Sequence, residues 1–237
     1  MKKLFLVIYF FNFSIQVYSQ SPQEFFDKGI EYFQNENFEK AIEYLSMSIE
    51  QNYNLAICYE KRGYSYYKII DNKNALNDFS KAIEHDSGNS ENYSFRAQLY
   101  QIEGNTFQAM RDISTAISIN PNESNYYFQR GGLKSQLFDH RGAILDYNKA
   151  IELNPNFWFA YTNRALSKSN IKDYEGAVSD YSMALMINPN DMIAYRDRGL
   201  MFIQLNRTES ACLDFSKSGE LGFSQAYQLI KDYCNRP

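Results

Sequence analysis

Hydrophobic residues recur along the chain at spacings of three, four and seven residues, and the whole pattern repeats every 34 residues from position 22 to position 225. Such spacings place side chains on one face of an α-helix. Each 34-residue unit contains two apolar faces separated by polar residues, so each unit is predicted to be a pair of antiparallel helices. The pattern therefore predicts an all-α chain of six helical hairpins over residues 22–55, 56–89, 90–123, 124–157, 158–191 and 192–225.

Small residues stand at fixed positions in every repeat. In each first helix an aromatic residue is followed four residues later by Gly or Ala, as in Phe25/Gly29, Tyr59/Gly63, Tyr93/Ala97, Tyr127/Gly131, Tyr161/Ala165 and Tyr195/Gly199. Each second helix carries Ala, then a large residue, then a second small residue, as in Ala41, Leu45 and Ser48. Small residues let two helices approach closely while large residues fill the space around the crossing. We therefore expect the helices to pack tightly at these positions.

Asn-Pro-Asn sequences at 120–122, 154–156 and 188–190 are expected to end second helices, because Pro cannot continue a helix. Taken in order, the aromatic, Gly, aromatic, Ala, aromatic, Ala and Pro positions resemble the signature of the tetratricopeptide repeat family. That resemblance implies a right-handed superhelical solenoid whose concave face is lined by the first helices. It implies no catalysis. The repeats depart from the signature at Lys134 and Lys168, which replace an expected ring, so the fourth and fifth repeats are expected to pack less tightly.

Residues 226–237 are predicted to form a capping helix that covers the exposed end of the array, with Gly222 ending the last repeat and Ser224 capping the new helix. Cys212 and Cys234 each lie 11 residues from the intervening turn, at the same level of two antiparallel helices. A disulfide between them is one expectation. A small buried contact is the other, because packed helices lie roughly 8–10 Å apart while a disulfide needs Cα atoms within roughly 7 Å.

Charged residues form a second repeating pattern. The first helices carry Lys28, Arg62, Arg96, Arg130, Arg164 and Arg198, and the second helices carry Asp78, Asp112, Asp146, Asp180 and Asp214. Asp78 and Arg96 lie nine residues to either side of Ser87, which predicts ion pairs between consecutive repeats. We interpret these pairs as structural, since an unpaired buried charge is costly. The alternative is a clamp for phosphate or carboxylate.

Composition excludes several functions. The chain has 24 basic and 28 acidic residues and a formal charge of −4, with the basic residues spread out, which argues against nucleic-acid binding. His85 and His140 fall in turns of different repeats, and no His or Cys residues have metal-ligand spacing. Both are interpreted as hydrogen-bonded turn residues. We therefore expect no metal, no cofactor and no enzymatic activity.

The resemblance places a protein or peptide partner on first-helix residues outside the packing positions. The predicted partner-binding residues are Phe26, Phe33, Glu60, Tyr64, Tyr67, Glu91, Gln98, Gln101, Phe128 and Arg196. Chaperone-binding relatives grip a C-terminal carboxylate with Lys and Asn, but Phe26, Ile30, Glu60, Tyr64 and Phe128 occupy the matching positions here, so that partner class is not expected. Packing between repeats is the alternative role for each ring.

The predicted function is a scaffold that binds extended polypeptide segments in the cell envelope. The alternative is a structural subunit of a fixed envelope complex that has no peptide ligand of its own.

The N-terminal residues are typical of an export signal. Lys2 and Lys3 precede an apolar run over residues 4–11, and a small-residue cleavage sequence follows at residues 17–19. The apolar run is shorter than the ~20 residues that a bilayer span requires. Residues 1–19 are therefore expected to be a signal peptide, and the mature product is expected to be periplasmic or secreted, with no membrane span.

Mass spectrometry of the protein from its native source should show a chain that begins at or near Gln20. A mature product that retains residues 4–11 would contradict the export prediction.

Overall fold

The computed structural model describes residues 21–234. These residues form thirteen α-helices and no strand, which confirms the all-α prediction. The helices are α1 (Pro22–Gln34), α2 (Phe38–Glu50), α3 (Leu55–Lys68), α4 (Asn72–His85), α5 (Ser90–Ile102), α6 (Thr106–Ile119), α7 (Ser124–Gln136), α8 (His140–Leu153), α9 (Trp158–Asn170), α10 (Tyr174–Ile187), α11 (Met192–Gln204), α12 (Thr208–Glu220) and α13 (Ala226–Tyr233). The predicted signal peptide and residues 235–237 lie outside the described residues.

The helices form two compact units, residues 21–119 with α1–α6 and residues 120–234 with α7–α13. Within each unit, consecutive helices pair into hairpins, beginning with α1 on α2 and with α7 on α8. Consecutive hairpins of one unit also contact each other, through α2 on α3, α4 on α5, α8 on α9 and α10 on α11. Each unit is therefore a stack of three hairpins, and in the second unit α13 packs on α12.

The turn within each hairpin contains one residue with a left-handed backbone. These residues are Glu36, Ile70, Gly104, Phe138, Lys172 and Asn206, with φ between 56° and 77°. In every hairpin the next residue donates its backbone N–H to a carbonyl five residues earlier, as in Asp71 to Tyr66 at 2.9 Å, which closes the end of the first helix. Glycine and asparagine adopt this conformation readily, whereas a β-branched residue such as Ile70 is strained in it.

The helices pack closely at the small residues, as the sequence predicts. A Cβ atom added at Gly131 would lie 2.7 Å from the Tyr147 ring, and one added at Gly199 would lie 2.6 Å from the Phe215 ring. The large residues at this level of the second helices are at most 2% exposed; they are Leu45, Phe79, Ile113, Tyr147, Tyr181 and Phe215. The small residues of the first helices therefore set how closely each pair packs.

An arginine of the first helix pairs with an aspartate of the second helix in the same hairpin. The pairs are Arg62–Asp78, Arg96–Asp112, Arg130–Asp146, Arg164–Asp180 and Arg198–Asp214, with shortest N–O distances of 2.6–2.7 Å. The predicted pairing between consecutive repeats is therefore wrong. The reason is seen at Asp78, which packs against Gly63. A Cβ atom added at Gly63 would lie 3.2 Å from the Cβ atom of Asp78. This close approach places the Asp78 carboxylate beside Arg62, the residue that precedes Gly63.

Within each unit, arginines of this series also contact the preceding hairpin. In addition to the bonds from Nε and Nη2 to Asp78, the Nη1 atom of Arg62 donates to Ser46 at 2.8 Å. Within the second unit, Arg198 donates in the same way to Ser182 at 3.0 Å. One guanidinium thus fixes both the hairpin to which it belongs and the position of the hairpin before it.

Burial of the Asp78 carboxylate has a cost that its pairing with Arg62 offsets only in part. Burial raises the pKa of Asp78, and the hydrogen bonds and charge of Arg62 oppose that rise only in part. A carboxylate whose pKa is higher in the folded than in the unfolded state is ionised at neutral pH at a net cost to folding. The pair therefore contributes orientation more than stability.

Aromatic rings flank the guanidinium groups. Arg62 lies over Tyr59 and Tyr66, with distances of 5.5 and 5.8 Å to the ring centroids. In the fourth and fifth repeats Lys134 and Lys168 stand where the later ring would be, and they pair with Asp146 and Asp180 at 2.7 and 2.8 Å. The looser packing expected for these repeats is not seen. Their core alanines Ala143 and Ala177 are fully buried.

The end of the second unit carries a covalent link. The structure joins Cys212 of α12 to Cys234 after α13, with Cα atoms 5.9 Å apart, while Cys58 is free and buried. Gly222 adopts φ 106° after α12. Ser224 does not cap α13 as predicted, because its hydroxyl donates to the side chain of Gln225, and Gln225 itself occupies the N-cap position.

Arg198→Ala should destabilise the protein more than Arg164→Ala. Both arginines pair with a buried aspartate, but Asp180 keeps Lys168 as a second cation when Arg164 is removed. Asp214 has no second cation among residues 21–234. We expect a loss in the free energy of unfolding of about 3 kcal/mol for Arg198→Ala and about half of that for Arg164→Ala, measured by urea denaturation. Equal losses would show that Lys168 does not substitute for the missing guanidinium.

Candidate functional site

Four aromatic side chains on α1, α3 and α5 form a continuous cluster in the first unit. Tyr64 lies at its centre, with ring centroids 5.4 Å from Phe33 and 5.2 Å from Phe95, both in edge-on geometry. Tyr67 completes the cluster at 5.9 Å from Phe95. We call Phe33, Tyr64, Tyr67 and Phe95 the ring cluster. All four are half-buried.

The ring cluster also contributes to the fold. Tyr64, Tyr67 and Phe95 pack against the buried core residues Ala75, Phe79 and Leu99. The expectation that Tyr64 and Tyr67 lie outside the packing is therefore wrong. First-helix positions facing away from the partner helix still meet the next hairpin, and large rings reach across that gap.

A cavity of about 110 Å³ opens beside the ring cluster. It is lined by Phe33, Glu60, Lys61, Tyr64, Phe79, Glu91, Asn92 and Phe95. We call this space the Asn92 cavity. Four of the predicted binding residues meet here, namely Phe33, Glu60, Tyr64 and Glu91.

Polar groups around the Asn92 cavity differ in whether they already have partners. Glu60 accepts from Lys61 at 2.6 Å and from Asn89 at 2.7 Å, so both carboxylate oxygens are occupied. Asn92 is 1% exposed, and its Oδ1 atom accepts no hydrogen bond from residues 21–234. Glu91 is an exposed residue at the edge of the cavity. Unused acceptors therefore remain in the wall and at the edge of the cavity.

The other predicted residues of the first unit lie at different distances from this cavity. Gln98 accepts a hydrogen bond from the Tyr67 hydroxyl at 3.3 Å, which connects it to the ring cluster. Gln101 lies half-buried near the end of α5. Phe26 lies apart and packs edge-on against Tyr53, 5.8 Å away, in the turn before α3.

The two predicted residues of the second unit are engaged in packing. The ring centroid of Phe128 lies 4.9 Å from that of Phe157. Arg196 pairs with Asp197 at 2.7 Å and lies over the Phe223 ring at 5.3 Å. The contact of Phe128 supports the packing role that the sequence left open for each ring.

Sequence reasoning missed a larger cavity in the second unit. It has a volume of about 330 Å³ and is lined by Trp158, Phe159, Thr162, Asn163, Leu166, Tyr181, Asp191, Ile193, Ala194 and Asp197. Its carboxylates already have partners, because Asp191 caps α11 and Asp197 pairs with Arg196. The cavity is therefore mainly an apolar surface.

Asn92, Phe95 and Lys61 were also missed at the first cavity. Asn92 occupies a repeat position that is the exposed Glu24 in the first repeat and a buried residue in the others, namely Cys58, Tyr126, Ala160 and Ala194. An amide at a position that is buried from the second repeat to the sixth was the available signal. Phe95 likewise gives a ring at a position that is Asp, Lys, Gln or Asn in the other repeats.

The titratable residues singled out in the sequence do not form a metal site within residues 21–234. No group of three or more His, Cys, Asp or Glu residues could hold a metal ion in this range. His85 stacks on Tyr59 with centroids 5.7 Å apart. His140 departs from the expectation of a hydrogen-bonded turn residue, because its buried Nδ1 atom has no partner among the described residues.

The helices of this part of the chain are also too short or too polar to cross a lipid bilayer.

Two segments of the sequence match family models of the tetratricopeptide repeat, at residues 124–157 and 146–179. No curated protein matches the sequence.

Solved structures share the fold at low sequence identity. The C-terminal part of a TPR repeat-containing protein from Cytophaga hutchinsonii is 20% identical, with a TM-score of 0.72 over 88% of this chain and 83% of that chain. YrrB, a TPR protein with an unusual peptide-binding site, is 19% identical, with a TM-score of 0.67 over 79% of this chain and 97% of its own. MamA from Desulfovibrio magneticus is 16% identical, with a TM-score of 0.67 over 73% and 97% of the two chains.

These likenesses agree with the helical hairpins that begin close to every 34th residue in both units and with the two segments that match the family models. Residues 124–179 match the tetratricopeptide repeat, and the described residues have the fold of tetratricopeptide repeat solenoids.

Proposed function

We propose that the protein is a non-catalytic scaffold that holds an extended segment of a partner polypeptide against α1, α3 and α5 of the first unit. The observation that carries this proposal is the ring cluster beside the Asn92 cavity. Half-buried aromatic rings next to unused hydrogen-bond acceptors are typical of surfaces where a few anchors account for most of the binding energy. The similarity to YrrB, a TPR protein with a peptide-binding site, is in keeping with this proposal.

The proposal includes export to the periplasm or the exterior. Its support is the charged and apolar N-terminal pattern of residues 2–11. A disulfide between Cys212 and Cys234 is in keeping with an oxidising compartment, because such bonds persist mainly outside the cytosol.

A structural subunit of a fixed complex is the second candidate. It is favoured by the packing of Tyr64, Tyr67 and Phe95 against the core, because rings buried between repeats could serve the fold alone. The two candidates differ in one respect. Only the first requires that this surface bind a free peptide.

Tyr67→Ala should weaken the binding of an extended peptide by roughly tenfold, since an aromatic anchor in such a surface contributes about 2 kcal/mol or less when half-buried. Tyr67 is preferred to Tyr64 because Tyr64 contacts four other rings, and its loss would disturb the fold. The ligand is a peptide selected from a random display library against residues 20–237. Its Kd is measured by fluorescence anisotropy.

The control is Tyr227→Ala, which removes a ring that is 77% exposed on α13. It should leave both the Kd and the circular dichroism spectrum unchanged. If the library yields no binder, or if Tyr67→Ala binds as the parent does, the peptide-holding proposal is wrong and the fixed-complex candidate is favoured.

A further inference from the structure

We propose that the Asn92 cavity receives a lysine side chain of the bound segment, with its ammonium donating to the Oδ1 atom of Asn92 and to the carboxylate of Glu91. This inference rests on the proposed peptide-holding function and specifies the chemistry that the peptide must present.

The amide of Asn92 gives the first argument. Its Oδ1 atom is buried and accepts no hydrogen bond within residues 21–234, and the residue lines the cavity. A buried acceptor without a partner destabilises the fold, whereas an apolar side chain of similar shape would not. Buried Ala160 and Ala194 occupy this position in later repeats, so the fold itself does not require an amide. A donor supplied by a ligand would give this atom its missing partner.

The size and walls of the cavity give the second argument. Its volume of about 110 Å³ is well below the roughly 300 Å³ at which pockets begin to hold small-molecule ligands. One side chain is therefore the fitting occupant. Phe33, Tyr64, Phe79 and Phe95 provide apolar walls for an aliphatic stem.

Charge selects the end group. The charged residues that line the cavity are Glu60, Glu91 and Lys61, which sum to one negative charge. Lys61 is already paired with Glu60, and its ammonium lies over the Phe33 ring at 5.4 Å. The Lys61 ammonium thus already lies between the face of the Phe33 ring and the Glu60 carboxylate, and such an arrangement is favourable for ammonium groups. Glu91 remains as the carboxylate for a second ammonium.

A neutral or acidic end group would use these acceptors less well. A hydroxyl or amide could satisfy Asn92 but would not neutralise Glu91, and a carboxylate would face both Glu91 and Glu60. Lys68, which lies over the Tyr64 ring at 5.7 Å, is not among the residues that line the cavity. A lysine of the partner therefore fits best.

The test uses blocked pentapeptides with alanine at four positions and lysine, norleucine or glutamate at the centre. Their binding to isotope-labelled protein of residues 20–237 is followed by NMR through the side-chain amide signals of Asn92. The lysine peptide should shift these signals and bind roughly tenfold more tightly than the norleucine peptide, because charge-assisted hydrogen bonds are the stronger ones. The glutamate peptide should bind weakest.

Asn92→Leu separates binding from folding. The change should raise the melting temperature by about 2–4 °C, because it removes an unsatisfied buried acceptor. It should also abolish the preference for lysine over norleucine. Asn92→Ala is the second variant, because Ala already occupies this position at Ala160 and Ala194. The matched control, Asn125→Leu, changes an exposed asparagine on α7 and should alter neither property.

Three outcomes would overturn the inference. Equal binding of the lysine and norleucine peptides would show that the cavity is only apolar. A lower melting temperature for both Asn92 variants would show that the amide serves the fold. A failure of all three peptides to shift any signal of residues 21–119 would remove the proposed peptide surface together with this inference, whereas the first two outcomes leave the surface in place.

Discussion

A guanidinium between two helices is the contact that orients the helices in five of the six hairpins. In the second to sixth hairpins it binds an aspartate of its own hairpin through two nitrogens, as Arg62 does with Asp78. Fork-to-carboxylate geometry of this kind sets orientation as well as distance, which a lysine would not do in the same way. The first hairpin replaces the pair with Lys28 over the Tyr44 ring at 5.5 Å. Once each hairpin is fixed internally, the first helix of the following hairpin in the same unit can pack against it.

Much of this fold follows from the 34-residue period. Helix positions, the close approach at Gly131 and Gly199 and the burial of the large second-helix residues all depend on local spacing, which the sequence displays directly. The spacing does not show whether each arginine pairs with the aspartate of its own hairpin or with that of the preceding hairpin. Counting residues brings Arg96 level with an aspartate on either side, and only the packing of side chains beside the small column selects Asp112.

The turns and the site are harder to predict for a related reason. The left-handed residue of each hairpin turn is Gly104 or Asn206 in two repeats, but Ile70 and Phe138 adopt the same backbone against their local preference, because closing the hairpin overrides it. The helix face that carries the ring cluster was predictable from the helical period, but its packing against the core was not. The cavity was not, because it depends on how Phe33, Tyr64 and Phe95 from three helices pack together. Asn92 is an amide at a position that is buried from the second repeat to the sixth, and such polar exceptions are often functional rather than structural.

Two double-mutant cycles that share Arg96 test most directly whether the hairpins are fixed from within. One cycle combines Arg96→Ala with Asp112→Ala, and the other combines it with Asp78→Ala, with urea unfolding as the measurement. We expect a coupling energy of about 2 kcal/mol with Asp112, because the two side chains share two hydrogen bonds. With Asp78, the aspartate of the preceding hairpin, the coupling should be below about 0.5 kcal/mol. Stronger coupling to Asp78 than to Asp112 would show that the ion pairs join neighbouring repeats and would contradict this account.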